Sequence, residues 1–131
     1  MLFEREMATL TAFTLGSKHE RYSELLRTKR GREKVRLSLD HFGDLNLSYC
    51  KRVPAAEQTP SGVLALLQKL GAPVSCYVLS SNNEVDGQEL ELEEALNRII
   101  GRGCGAFVCC IPGKLAYFEG ENPGERFVCR R

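Results

Sequence analysis

The sequence predicts a single α/β or α+β domain, with a helical N-terminal half packed on a mixed β-sheet. Apolar residues recur at helical spacing through much of residues 17–70. Residues 74–130 then follow the order strand, helix, strand, strand, strand, with glycine, proline or asparagine at the turns between them. A strand–helix–strand crossover followed by an antiparallel meander predicts a mixed sheet covered by at least one layer of helices.

The N-terminal half begins with a segment of undetermined structure. Residues 1–16 are compatible with a helix, a strand-forming arm or a flexible, frayed arm. From Ser17 onward the pattern becomes mainly helical and extends to residue 70. Gly31 lowers helix stability by about 1 kcal/mol relative to alanine. A helical hairpin and one long kinked helix therefore both remain open for this region.

The middle of the chain contains one well-marked helix start. Residues 44–53 are predicted to be irregular or to form a short strand. Thr59 suits the N-cap position of a helix and Pro60 suits its first turn. The apolar stripe of this helix comprises Val63, Leu64, Leu66, Leu67 and Leu70.

The C-terminal half has turn residues at almost every junction. A strand is predicted at residues 74–79, and the apolar residues between 90 and 100 indicate a helix. Residues 106–111 are apolar on both alternating faces, which is typical of a central strand. Residues 115–119 are predicted to return antiparallel. Arginines flank the last strand, residues 126–130, as expected for a protected edge of the sheet.

Composition is consistent with a small globular protein. The chain has 131 residues, of which 43% are hydrophobic, enough for one ordinary core. No apolar run approaches the roughly 20 residues that span a bilayer. Glu4 and Glu6 fall where a signal peptide needs a basic segment followed by an apolar one. We therefore expect a cytoplasmic protein that does not bind membranes.

Two observations predict a homodimer. Residues 1–54 contain 11 Lys/Arg and 7 Asp/Glu, whereas residues 55–131 contain 7 and 10, an asymmetry that favours self-association or a basic surface. The central strand needs cover on both faces, and the chain has few helices to supply it. A second subunit would cover the open face, and a C2 dimer is the commonest arrangement. Another protein is the other partner that we expect.

The six cysteines are predicted to be packing residues. None forms a Cys-x-x-Cys pair, and neighbouring Cys109 and Cys110 should point to opposite faces of a strand. A free thiol in an apolar strand behaves as a small hydrophobic side chain. We expect Cys76, Cys109 and Cys110 to be reduced and mostly buried. No metal site and no cofactor are predicted.

A basic run in the N-terminal half offers a nucleic-acid site. On a helical face it could contact phosphates, but Glu33 interrupts it and no aromatic side chain lies within it. A solvated helix face is therefore favoured over nucleic-acid binding. The candidate residues are Arg27, Lys29, Arg30, Arg32, Lys34 and Arg36.

Other functional signals are sparse. Tyr117 and Phe118 alternate faces, so one of them could be exposed and bind a partner, although core packing is favoured. The sequence contains neither a Gly-x-Ser-x-Gly elbow nor a His-Glu-x-x-His helix, and no catalytic residue can be assigned. The leading hypothesis is a small intracellular non-enzymatic binding or regulatory protein. Nucleic-acid binding is the alternative, and a small enzyme of unrecognised type comes third.

Overall fold

Five α-helices and six strands make up residues 2–131, the part of the chain that this computed structural model describes; Met1 lies outside it. The helices are α1 (Leu2–Phe13), α2 (His19–Leu25), α3 (Lys29–Ser38), α4 (Pro60–Lys69) and α5 (Leu92–Ile99). The strands are β1 (Cys50–Arg52), β2 (Ser75–Ser80), β3 (Glu89–Glu91), β4 (Ala106–Ile111), β5 (Leu115–Glu119) and β6 (Arg126–Arg130). They form one sheet in the order β1-β6-β5-β4-β2-β3, which confirms the α+β prediction.

The sheet is antiparallel between all neighbouring strands, where a mixed sheet was expected. The difference arises at β3, three residues that pair with β2 immediately before helix α5 begins. Because β3 reverses the chain, α5 returns it to the end of the sheet at which β2 finished. Strand β4 then runs antiparallel to β2, with Ser80 opposite Ala106.

The N-terminal half is helical from its start. Residues 2–13, left open by the sequence, form α1. The region around Gly31 is a break between two helices and not one kinked helix, since α2 ends at Leu25 and Thr28 caps α3. The Thr28 side chain accepts a hydrogen bond from the Gly31 amide at 2.9 Å. A Cβ atom on Gly31 would lie 2.0 Å from the Leu25 carbonyl oxygen, so the chain passes itself closely here.

The predicted cap of α4 is confirmed. Thr59 accepts a hydrogen bond from the Gly62 amide at 3.0 Å, and Pro60 occupies the first turn. The expectation that β6 forms the edge of the sheet is wrong. Strand β6 lies between β5 and β1, because Cys50–Arg52, within the segment of uncertain structure, pairs along its outer side.

Both faces of the sheet are covered by helices of this same chain. Alternate side chains along the strands divide the core into two apolar clusters, one on each face. Helices α1, α2 and α3 cover one face, where their core residues include Leu10, Phe13, Tyr22 and Val35. Leu26 and Leu39, which follow α2 and α3, join the same cluster. Helices α4 and α5 cover the other face, with Val63, Leu67, Leu92, Leu96 and Ile99.

An aromatic group lies at the centre of the first cluster. The rings of Phe107 and Phe118 are 4.9 Å apart between centroids, and Phe42 meets Phe107 edge to face at 5.9 Å. Such pairs add to the stabilisation that burial provides. The helices in residues 2–131 are too short or too polar to cross a bilayer.

Candidate functional site

A cleft of about 560 Å³ runs along edge strand β1, on the face of the sheet that α4 and α5 cover. Its floor includes Val53 and Val128 from the sheet, and its wall includes Leu66 and Leu70 from α4. Val53 is buried, while Leu66, Leu70 and Val128 are half-buried. A cleft of this size with mainly apolar walls is typical of a ligand site.

The charged side chains around the cleft are mostly basic. Lys51, Arg52, Lys69 and Arg130 line it together with a single acid, Glu57. The four basic side chains are exposed, so their charges face solvent at the rim. Clustered charges of one sign raise the local concentration of ligands of the opposite sign. The cleft is therefore suited to a ligand that is partly apolar and carries negative charge.

The open edge of β1 adds backbone hydrogen-bonding groups to the site. The Val53 amide donates to the Arg126 carbonyl at 2.9 Å, and the Arg130 amide donates to the Tyr49 carbonyl at 2.9 Å. In an antiparallel ladder the residues between such pairs turn their amide and carbonyl groups away from the partner strand. Cys50 and Arg52 therefore present these groups at the outer edge of the sheet, where another strand can pair.

The predicted basic run divides into two groups. Arg27, Lys29, Arg30 and Lys34 are exposed, as a surface that contacts phosphates requires. The other two residues, Arg32 and Arg36, form contacts inside the protein.

Arg32 connects α3 to two distant acids. Its guanidinium group makes two hydrogen bonds to Asp86, at 2.8 and 2.9 Å, and Nε donates to both carboxylate oxygens of Glu6 at 2.9 and 3.1 Å. Glu6 is only 2% exposed and also accepts a hydrogen bond from the Tyr77 hydroxyl. Hydrogen bonding to Asp86 raises the pKa of Arg32 above its usual value. The side chain thus ties α1 and the β2–β3 turn to α3.

Arg36 makes a second set of internal contacts. It is 6% exposed, donates to the Ser80 and Ser81 carbonyls at 3.3 and 3.0 Å, and pairs with Glu33. Glu33, which interrupts the basic run in the sequence, therefore neutralises an arginine that contacts the end of β2. The candidate nucleic-acid surface is left with the four exposed side chains.

Tyr117 and Phe118 do not form an exposed partner site. They are 0% and 1% exposed and belong to the two opposite core clusters. Strand β5 lies between β4 and β6, and both faces of the sheet are covered there, so neither aromatic ring reaches solvent. Core packing, the favoured interpretation, is confirmed, and the alternative of an exposed partner-binding ring is wrong.

The thiols that were predicted to be buried are buried. Cys76, Cys109 and Cys110 are 3–5% exposed and free. Burial raises the pKa of Cys76 and of Cys109 to about 12, and it raises that of Cys110 as well. Protonated, buried thiols are unreactive, as expected for packing residues. Within residues 2–131, the His, Cys, Asp and Glu side chains do not assemble in groups of three or more that could hold a metal ion.

A buried carboxyl group lies at the far end of β5. Glu119 is 1% exposed, accepts hydrogen bonds from the Tyr117 hydroxyl and the Gly101 amide at 2.7 and 2.9 Å, and lies 3.5 Å from the Arg126 Nε. Burial raises the pKa of Glu119 above its usual value despite these partners. Its contacts tie the loop after α5 to the sheet, which is a structural role.

The cleft was missed in the sequence, although α4 contained a signal for it. Its apolar stripe has five members, but only Val63 and Leu67 are fully buried. The half-buried leucines of α4 leave apolar surface that the core does not cover. The arginines flanking β6 were a second signal, interpreted as edge protection. These arginines flank an inner strand, because β1 pairs with β6, and the sequence did not indicate that pairing.

Comparison of the chain with known protein families, with curated proteins and with solved structures finds no match.

Proposed function

We propose that this protein is a non-enzymatic binding module that holds an extended acidic segment of another protein along strand β1. The observation that carries the proposal is the apolar cleft beside an open strand edge, with four basic side chains and one acid around it. Strand addition supplies backbone hydrogen bonds, while pockets beside the strand select alternate side chains. Apolar side chains of the segment would enter the cleft, and its acids would meet the basic rim.

Binding of a labelled synthetic peptide in which glutamate and leucine alternate tests this proposal. We expect a Lys51→Glu and Arg130→Glu double variant to bind the peptide at least about tenfold more weakly, because like charges then face each other. Lys34→Glu is the matched control, since this exposed lysine lies on α3, away from the cleft. Affinity unchanged by the double variant, or equal affinity for a lysine–leucine peptide, contradicts the proposal.

Methylation of backbone amides in the same peptide tests strand addition directly. In a strand, alternate amides point to opposite sides, so only one set can pair with β1. Methylating that set should abolish binding, while methylating the other set should leave it intact. Equal tolerance of both sets would mean that the peptide binds by its side chains alone.

A second copy of this chain is another partner that the sheet edges favour. Strand β3 at the opposite edge carries Glu89 and Glu91, whereas β1 carries Lys51 and Arg52. Edges of opposite charge can meet head to tail. The reason first given for a homodimer, an uncovered face of the sheet, no longer applies because helices cover both faces.

Nucleic-acid binding remains a second candidate because of the start of α3. Lys29 and Arg30 occupy its first turn, which contains no acid, so their charges oppose the helix dipole. A phosphate at this end would relieve that repulsion. Binding to duplex DNA should then weaken with salt by a log–log slope of roughly −0.9 per phosphate neutralised. Lys29→Ala with Arg30→Ala should flatten the slope, while Lys114→Ala on the β4–β5 turn should not.

We place the protein in the cytoplasm as part of this proposal. Its six cysteines are free and five of them are buried, which suits a reducing compartment. Imaging of a tagged protein in cells tests the assignment.

A further inference from the structure

A row of small side chains crosses the sheet beneath α1. Following the pairing register, Cys50 of β1 faces Cys129 of β6, which faces Ala116 of β5, which faces Cys109 of β4. All four side chains belong to the same apolar cluster. Helix α1 contacts both ends of the row: the Phe13 carbonyl accepts from the Cys50 thiol at 3.9 Å, and Thr9 Oγ1 lies 3.1 Å from the Cys109 sulfur.

The first two members of the row are in the geometry that a cross-strand disulfide needs. The ladder bonds at Val53 to Arg126 and at Arg130 to Tyr49 place Cys50 and Cys129 in a pair without hydrogen bonds between their backbones. In such a pair the Cα atoms are about 4.5 Å apart. Disulfides span Cα distances of roughly 4.4 to 6.8 Å, so no strand needs to move.

The two thiols already interact, and the interaction makes them unequal. A hydrogen bond from the Cys129 thiol lowers the pKa of Cys50, whereas burial raises the pKa of Cys129. Cys50 is therefore the first of the two to ionise, and the thiolate is the form that reacts. Cys50 lies on edge strand β1 and is 6% exposed, whereas Cys129 lies on the inner strand β6 and is 0% exposed. A small oxidant therefore reaches Cys50 first, from the edge of the sheet.

We propose that Cys50 and Cys129 form a reversible disulfide when the protein meets a hydroperoxide. The Cys50 thiolate attacks one peroxide oxygen, and the O–O bond breaks. The other oxygen takes up one proton and leaves as water, and Cys50 becomes a sulfenic acid. The Cys129 sulfur then attacks the Cys50 sulfur, and the sulfenic oxygen leaves as a second water with the Cys129 proton. Two thiols are oxidised, one hydrogen peroxide is reduced to two waters, and a later thiol reductant reverses the step.

A second pair of cysteines on the opposite face provides an internal comparison. Cys76 and Cys110 are near neighbours on β2 and β4, but the pairing of these strands ends at Tyr77 and Cys109, just short of them. A bulge follows in β4, and burial raises the pKa of both thiols. We expect this pair to stay reduced under conditions that oxidise Cys50 and Cys129.

Peptide mapping of the full chain after treatment with hydrogen peroxide tests the proposal. We expect a linked pair of peptides containing Cys50 and Cys129, lighter than the reduced pair by two hydrogen atoms and released by dithiothreitol. The linked pair is the criterion, because Cys104 is also partly exposed and can react by itself. Linkage of Cys76 to Cys110 in its place, or oxidation of Cys50 to sulfinic acid without linkage, overturns the proposal.

Two single variants distinguish the Cys50–Cys129 pair from Cys109, the other cysteine in the row. Cys129→Ala should leave Cys50 as a sulfenic acid that a dimedone-type probe labels, whereas Cys109→Ala should still form the link. Loss of the link in Cys109→Ala at equal foldedness, or no labelling of Cys50 by the probe in Cys129→Ala, would overturn the assignment. If either variant fails to fold, the map of the wild-type chain decides. No step uses the peptide ligand, so the outcome does not depend on the proposed function.

Discussion

The arginines of the basic run show how differently similar side chains are used within one helix. Arg30 is exposed, whereas Arg32 joins Glu6 and Asp86, which lie 26 and 54 residues away in the sequence. The sequence predicts that these residues are charged and helical, but their partners depend on tertiary contacts. Local charge pattern therefore could not separate a surface arginine from one that stabilises the fold.

Replacing Arg32 with alanine should destabilise the protein strongly. The change leaves Glu6 buried without its ion pair, and breaking a buried pair costs about 3–5 kcal/mol. We expect the lower end of this range because the Arg32 side chain is 26% exposed. Urea denaturation measures the difference, with exposed Arg30→Ala as the control, expected to change stability by less than about 0.5 kcal/mol. Equal effects of the two substitutions would contradict the network.

Glu119 should make stability depend on pH. Because burial raises its pKa in the folded state, the native protein binds this proton more tightly than the unfolded chain does. The stabilisation from this tighter proton binding is fully present below the pKa of Glu119 in the unfolded chain, about 4.3. It is lost as pH rises through the pKa of Glu119 in the folded protein. The difference in unfolding free energy between wild type and Glu119→Gln should therefore change over this window in favour of the variant. A pH-independent difference would show that the carboxyl group titrates normally.

The last three strands could be predicted to the residue, whereas the pairing of the sheet could not. The predicted bounds 106–111, 115–119 and 126–130 match β4, β5 and β6, because glycine and proline mark the turns and the apolar runs are short. Strand β3 was missed because its acids continue into α5 and fit the first turn of a helix. That one omission changed the predicted sheet from antiparallel to mixed. The edge strand β1 has only three residues and too little pattern to indicate its partner.

Gly31→Ala is expected to destabilise the protein, although replacing glycine with alanine usually stabilises a helix. Alanine in a helix is favoured over glycine by about 1 kcal/mol. Here its Cβ would lie 2.0 Å from the Leu25 carbonyl oxygen, so backbone must shift. Overpacking of this kind costs about 1–3 kcal/mol. Thermal denaturation should show Gly31→Ala less stable than wild type.

Gly43→Ala is the matched control, because nothing lies within 4 Å of the added Cβ there. Its effect should be small. A stabilised Gly31→Ala protein would mean that α2 and α3 are further apart than described.

At the scale of the whole molecule, the sheet with its two helical layers changes the expected mode of self-association. The chain covers both faces, so a dimer has no open apolar face to bury. The edges remain, and they carry charges of opposite sign. Association through edges is weak and screened by salt, in contrast to burial of an apolar face.

Sedimentation equilibrium can distinguish these modes. We expect the monomer mass of 14.6 kDa at physiological salt and micromolar concentration. Lowering the salt should increase the mean mass if β1 and β3 of neighbouring copies meet, and Lys51→Glu should prevent the increase. A dimer that persists in high salt would point to an apolar interface instead.

The pairing of β1 with β6 also determines when the sheet can be completed as the protein folds. Partners such as Cys50 and Cys129 are roughly 80 residues apart, so closing this contact costs more loop entropy than closing a hairpin does. During synthesis, β1 leaves the ribosome long before β6 and has no strand to pair with until β6 has been made. Hairpins β4–β5 and β5–β6 are local and can form early, so the edge beside the cleft should be the last part of the sheet to form. Refolding followed by hydrogen exchange should therefore show protection of the Val53 amide after that of the strands between β2 and β5.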